Sequence, residues 1–365
     1  MDKTQKFSLL IFVWFAISCE PLVTTFDSLE DAVLYKAKNT TVPPQKATLS
    51  VMTWNIRFGI GRLPFFGDSC GERSIFTENE VIIALDSIVA KINELDPDII
   101  LIQEIDAESK RTAYIDQVQW ILDNTDLNYG AFASMWQAQV IPSDGIGRID
   151  AGNAVLSKWK IENAERIQLP LRGDQDGLTQ LFYLRRNILK TKIDIPDQEK
   201  FYAVVTHSTA FATDDTKQKH IDSFIEELDG LNNDNSIFIA GGDLNSIPPG
   251  VPVYDFCVTD HCPDEDEIHI DSDGGPHREG SYFNNFENER TLIEPLYNSY
   301  TPAIPPHLAI TDDHLTHSTD SSFPWDRKLD YLFTNLSVVE NSGTTHQNTL
   351  TLSDHAPVTC SVTLP

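Results

Sequence analysis

Positive charge is scarce in this chain: 27 Lys and Arg stand against 55 Asp and Glu, a net of -28 over 365 residues. A surface so acidic repels polyanions at long range, which argues against a protein living on non-specific nucleic-acid affinity. Transient cleavage through a metal ion stays open. No basic groove with interleaved aromatic residues is evident, and Phe65-Phe66, Trp136 and Phe323-Pro324-Trp325 read equally as core, membrane-contacting loops or base-stacking surfaces. No internal repeat is found, and the length allows one large domain or two ordinary ones. The apolar run Phe7 to Ile17 is shorter than the ~20 residues of a membrane-crossing helix. His261, His269, His277, His314 and His317 lack the spacing of zinc ligands and read as surface residues of loops.

Cysteine is sparse as well, with five in all. Lys3 and Lys6 precede the apolar run and Ser18 sits just before Cys19, which matches a secretory signal over residues 1–18. Ala16-Ile17-Ser18-Cys19 also resembles the bacterial lipoprotein signal, whose cysteine is lipidated; Ala16 departs from it, standing where that signal usually has Leu. The expectation is an exported protein, either an outer-surface or periplasmic lipoprotein tethered to the membrane through Cys19 or a secreted one. Residues 19–46, with Thr-Thr pairs and Pro43-Pro44, read as a tether ahead of one domain over 47–365. Cys70, Cys257, Cys262 and Cys360 remain, an even set that an oxidising compartment would pair, with the connectivity open.

From about Thr48 strands alternate with helices. Residues 49–54 form an apolar strand, and Thr77-x-x-Glu80 is a capping box opening a helix with Val81, Leu85, Ile88, Ile92 and Leu95 on one face. Asp96-Pro97-Asp98 ends it, and a buried strand over 99–102 delivers Glu104. A second helix is expected over 112–123 and a third near 215–229, with strands at 153–157, 187–195, 201–206, 236–240, 329–334 and 356–363. A sheet of such strands would gather the polar tips along one edge.

Those tips are Thr53-Trp54-Asn55-Ile56-Arg57, Ile102-Gln103-Glu104, Val205-Thr206-His207-Ser208, Gly241-Gly242-Asp243-Leu244-Asn245-Ser246 and Leu352-Ser353-Asp354-His355-Ala356-Pro357. Carboxylates and an amide able to hold a hard cation, an Asp/Asn pair and two histidines suit metal-assisted hydrolysis of a phosphate ester. Singly, each motif reads as a turn or a solvated strand end; together they outweigh that reading. Arg185-Arg186 is either a solvated basic edge or a phosphate clamp, and Trp54 is read as core packing.

The ordered set WNIRF, IQE, GNAVLSK, VVTHS, GGDLNS, KLDYLF and LSDHAPV resembles the endonuclease/exonuclease/phosphatase superfamily over roughly residues 48–363. The resemblance implies a four-layer α/β/β/α sandwich, an α/β fold of two mixed sheets face to face with helices outside. It implies metal ligation by Glu104, Asn55 and Asp354, whose oxygen donors suit Mg²⁺, Mn²⁺ or Ca²⁺ rather than zinc. By the same resemblance Asp243 and Asn245 orient and deprotonate the attacking water, and His355 bonds the scissile phosphate with Asp330 as partner. His207 matches the second histidine, a candidate general acid, while Asn153 and Arg186 are the candidates for contact with substrate.

Residues 255–294 hold 12 acidic and 2 basic side chains and read as a solvated acidic insertion. Asp264-Glu265-Asp266-Glu267 and Asp271-Ser272-Asp273-Gly274-Gly275 offer a structural Ca²⁺ site as the alternative, though neither fits the 12-residue calcium loop. The expectation is a monomeric, divalent-metal-dependent phosphoesterase, most like a nuclease-type phosphodiesterase. A phospholipid or inositol-phosphate hydrolase is the first alternative. An inactive surface-binding lipoprotein is the second.

Overall fold

The computed structural model describes residues 22–66, 71–142, 145–251 and 290–365. The signal segment with Cys19, the cysteines Cys70, Cys257 and Cys262, and most of the acidic stretch with both calcium candidates lie outside the described residues. In chain order the strands begin with β1 (Leu29–Asp31), β2 (Val33–Lys36) and β3 (Thr48–Asn55), followed by helix α1 (Glu78–Leu95) and β4 (Ile99–Asp106). Next come α2 (Gln117–Asp123), β5 (Tyr129–Ile141), β6 (Gly147–Ser157), β7 (Ile161–Gln168) and α3 (Gly177–Phe182). Then follow β8 (Asn187–Ile195), β9 (Gln198–His207), α4 (Thr216–Asn233) and β10 (Ile237–Asp243). The remainder is α5 (Glu294–Ser299), β11 (Thr301–Pro302), α6 (Pro306–Ala309), β12 (Asp330–Thr334), β13 (Ser337–Val338), β14 (Thr344–Thr345) and β15 (Val358–Thr363).

Two mixed sheets result. One has seven strands in the order β1-β7-β8-β9-β10-β12-β11; the other has eight, β13-β15-β3-β4-β6-β5-β2 with β14 beside β15. Because strand side chains alternate between faces, each sheet has an inner and an outer apolar face. Leu49 and Val51 of β3, Ile99 and Leu101 of β4, Ala203 and Val205 of β9 and Ile239 of β10 share one core between the sheets. Met52, Trp54, Ile100 and Ile102 face outward onto Ile88 and Ile92 of α1 and Val118 and Ile121 of α2. On the far side Ile188, Val204, Phe238 and Ala240 pack on Ile221, Phe224 and Leu228 of α4. The layers run helix, sheet, sheet, helix, as the resemblance implied. No helix among the described residues is long and apolar enough to cross a membrane.

The capping box forms: Thr77 accepts from the Glu80 amide and Glu80 returns the bond to the Thr77 N–H, while Asp96 closes α1 in the left-handed conformation at φ 44°. Three expectations need correction. The helix expected over 112–123 begins only at Gln117, because Ala113 and Tyr114 take φ of 55° and 60°, which interrupts a right-handed helix. The stretch 19–46 is not all tether: Leu29 pairs with Ile167 and Val33 with Phe132, so β1 and β2 cover the open edges of both sheets. Cys360 is a buried free thiol, outside the pairing expected of it, and burial pushes it up to about 12.

Candidate active site

Strand parity explains the convergence. Leu49, Val51, Ile239 and Val205 point between the sheets, so Asn55, Asp243 and His207, each an even number of residues further along its strand, do so too. Leu332 lies on the same face of β12, which aims Asp330 inward at the start of that strand. Glu104 breaks the rule: Ile100, Ile102 and Ile105 all belong to the outer face. A register shift between Ile102 and Ile105, with Glu104 at φ 52°, is the β-bulge that accommodates this change of step. At β10 the approach of three backbones needs glycine. A Cβ on Gly242, whose φ is 134°, would lie 2.0 Å from the Thr206 carbonyl oxygen, and one on Gly241 would lie 2.0 Å from that of Tyr331.

Asp243 is the hub. Its Oδ2 accepts from Asn55 Nδ2 at 3.1 Å, lies 3.2 Å from His207 Nε2 and 3.6 Å from His355 Nε2. Its Oδ1 accepts from the Asn245 amide at 3.0 Å, and the Asn245 side chain donates to the Ser208 carbonyl at 3.0 Å. His355 Nδ1 meets Asp330 Oδ2 at 2.8 Å. The 353–355 segment is pinned to β3, since the Trp54 indole N–H donates to the His355 carbonyl and Ser353 Oγ to that of Asn55, both at 2.8 Å. Trp54 is therefore both core packing and a clamp on the site.

The fields at the two histidines differ. Burial pushes His355 down, but the Asp330 and Asp243 carboxylates outweigh it and leave the group well above its ordinary value. Burial, reinforced by the Arg186 charge, lowers His207 to about 4 against the pull of Asp243. Burial raises Asp243, yet His355 and His207 overcome this and keep it below the ordinary carboxylate range. At neutral pH the cluster is thus a carboxylate between a charged His355 and a neutral His207. His207, expected as a candidate general acid, lacks the positive charge; His355 carries it.

Glu104 Oε1 is 3.9 Å from His207 Nε2. Asn55 Oδ1 accepts the Arg57 amide at 3.0 Å, which leaves it a second lone pair. Asp354 Oδ2 lies 3.7 Å from Arg57 Nε. Among the described residues two compact groups of side chains have ligand atoms within 4.8 Å of one another, Asp243 with Asp330 and His355, and His317 with Asp354 and His355; Glu104 belongs to neither. The oxygen donors Glu104, Asn55 and Asp354 fit a hard divalent cation by type.

Asn153 is fully buried and donates to the Asn187 side chain at 3.2 Å, and Arg186 is mostly buried with its charge acting on His207. Two residues escaped the sequence reading. His317, read as a surface residue, is 2% exposed, and its ring centroid lies 5.0 Å from that of His355. A short antiparallel bridge between 317 and 355 brings it there, a non-local pairing that periodicity does not signal. Arg57, also buried, takes φ of 47° beside Asp354; its place in the WNIR motif was the available clue.

The sequence profile described as the Endonuclease/Exonuclease/phosphatase family matches residues 52–355. No curated protein matches the sequence significantly. Among solved structures, an endonuclease/exonuclease/phosphatase from Beutenbergia cavernae DSM 12333 superposes with a TM-score of 0.55 at 16% identity, covering 87% of this chain and 72% of that one. One from Bacteroides vulgatus superposes with a TM-score of 0.51 at 14% identity, covering 88% and 100%. Such identities show a shared fold, while the profile match takes in every motif from Trp54 to His355. The chain belongs to the endonuclease/exonuclease/phosphatase family, whose members hydrolyse phosphate esters.

Proposed function

We propose that this protein hydrolyses phosphate esters with an activated water and a divalent metal ion, acting as a nuclease-like phosphodiesterase. The observation that carries the reading is the Asp243 carboxylate, buried and held ionised between Asn55, His207 and His355. A carboxylate in that state accepts a proton from, and orients, a water that the neighbouring Asn245 helps to place. His355, charged and fixed through Nδ1 by Asp330, presents Nε2–H to a phosphoryl oxygen and stabilises charge developing there. His207 contributes a neutral N–H donor, and Arg186 a guanidinium for a non-bridging oxygen. Asn153 acts at one remove, fixing Asn187 at the start of β8. Mg²⁺ or Mn²⁺ held by Glu104, Asn55 and Asp354 would neutralise charge on the phosphate.

The test uses bis-p-nitrophenyl phosphate, plasmid DNA, RNA and sphingomyelin with Mg²⁺ or Mn²⁺, before and after chelation. Asp243→Ala and His355→Ala are each expected to lower the rate about 10²- to 10⁴-fold, since each removes one catalytic element. Near-wild-type hydrolysis by either folded variant, or activity that survives complete chelation, would overturn the reading. The sphingomyelin arm tests the lipid-hydrolase alternative, and export through Cys19 is tested by metabolic lipid labelling of the full chain.

A further inference from the structure

Single exposed apolar side chains are ordinary on a folded surface, but a group of them on one packed unit points to a partner. Such a unit stands at the catalytic end of the fold. β5 and β6 continue past the pairing of Asp106 in β4 with Ala151, as far as that of Ile141 with Gly147, and so project beyond Glu104 as an arm. The described chain begins on this arm: Val23 bridges to Ala138, and the Leu22 carbonyl accepts the Gln139 amide at 2.9 Å. α3, from the connection between β7 and β8, reaches the arm from the other sheet, where its Phe182 carbonyl accepts the Trp136 indole N–H at 2.8 Å. Val23, Ala138, Ile141 and Ile149 form a small buried cluster against which Phe182 and Trp136 pack. Beside it Leu22, Val140, Leu178 and Leu181 are 54%, 48%, 69% and 40% exposed.

Asp176 presents two of the four. Its carboxylate accepts the Leu178 and Thr179 amides at 2.9 and 3.1 Å, an N-cap that starts α3 although none of its residues is buried. Leu178 and Leu181 thus stand one turn apart in an ordered helix with no core to fill. Four residues beyond α3 is Arg186, whose charge acts on His207, so the leucines and the catalytic cluster share one end of the sandwich. Distance along the chain says what lies against them. From Cys19 to Leu22 is three residues, at most about 11 Å when fully extended. An anchor on Cys19 therefore leaves no tether and draws this end of the protein onto the bilayer. A net charge of -28 repels anionic headgroups, which leaves zwitterionic lipid as the matching surface.

We propose that the catalytic end of this protein rests on a zwitterionic lipid surface through Leu22, Val140, Leu178 and Leu181, with the amino-terminal segment anchored in the same surface. The four side chains enter the boundary between headgroups and acyl chains, where their apolar area leaves water. The anchor rests on the reading of Cys19 as a lipidated residue; the contact rests on the leucines and the arm. Either stands whether or not the Asp243–His355 cluster hydrolyses phosphate esters.

The test reconstitutes the full chain into vesicles of phosphatidylcholine and phosphatidylethanolamine that include a phosphatidylcholine with a diazirine high on its acyl chain. Cross-links made on illumination are mapped by mass spectrometry. Peptides with Leu22, Val140 and α3 should be labelled about tenfold above those of α1, whose Ile83 is equally exposed. The double variant Leu178→Ser with Leu181→Ser should lower the label on the Val140 peptide about threefold or more, while Ile83→Ser leaves the pattern intact. Melting temperature and hydrolysis of bis-p-nitrophenyl phosphate should not change in the double variant, since neither leucine is buried or belongs to the catalytic cluster. Label on α1 equal to that on α3, or label confined to residues 1–21, overturns the proposal. So does a concentration-dependent dimer, seen by sedimentation without vesicles and abolished by the double variant, because a second copy then covers the leucines. Absence of lipid on Cys19 overturns the anchor, and the cross-links then decide the contact by themselves.

Discussion

In the proposed reaction, His355 and Asp330 form the pair whose charge would set the pH range. With Nδ1 only 2.8 Å from Asp330 Oδ2, His355 keeps its proton well above the ordinary histidine range. Asp330→Asn removes the carboxylate and should move the alkaline limb of the pH–rate profile to lower pH, besides lowering the rate. An unshifted limb would assign that ionisation to another group. His220 makes a stability prediction away from the site. It is buried, accepts the Thr209 amide on Nδ1 at 3.2 Å and uses Nε2 on the Pro170 carbonyl at 2.8 Å. Burial lowers it to about 4, while the unfolded chain titrates near 6.5. The unfolded state binds more protons between those values, so the contribution is complete above pH 6.5 and is lost as pH falls towards 4. It amounts to roughly 3 kcal/mol, and urea unfolding at pH 7 and pH 4.5 should show a much smaller pH dependence in His220→Gln.

At the scale of elements, the C-terminal end of β10 is the demanding place. Gly242 sits between β9 and β12, where it pairs with Thr206 and Tyr331, and any side chain there meets the Thr206 carbonyl oxygen. Gly242→Ala should destabilise the fold by about 2–4 kcal/mol in urea and lower activity together with it, because the added methyl pushes β9 and β10 apart and moves His207 from Asp243. A variant with full activity and unchanged stability would show that the strands give way freely. The capping box of α1 and the bulge in β4 illustrate two kinds of legibility. The first is local, written in Thr77 and Glu80; the second exists only once β4 pairs with β6, and no periodicity announces it.

For the whole molecule the open edges of the two sheets matter. β1 covers β7 in one sheet and β2 covers β5 in the other, with only Ala32 between them. Removing residues 22–36 should expose both edges at once, lowering the melting temperature and promoting concentration-dependent aggregation. A truncated chain as stable and as monodisperse as the full one would make this segment dispensable. Sequence reading took the stretch for a tether because Leu29, Val33 and Leu34 remain more than half exposed even when paired, so they lack the alternation of a buried strand. The long strand β5 was missed as well.

The amino-acid sequence by itself determined the order of apolar strands and their polar ends, the chemistry of the donor set, and the period-two parity that sends Asn55, His207 and Asp243 between the sheets. These are local properties, carried by residue type and by spacing of two or of three to four. Tertiary structure alone decided which strands are neighbours and therefore that His317 lies against His355, that Glu104 occupies a bulge, and that Asp354 faces Arg57. It also decided charge. Burial and distance to other ions set the opposite shifts of His355 and His207; neither quantity exists until the chain has folded.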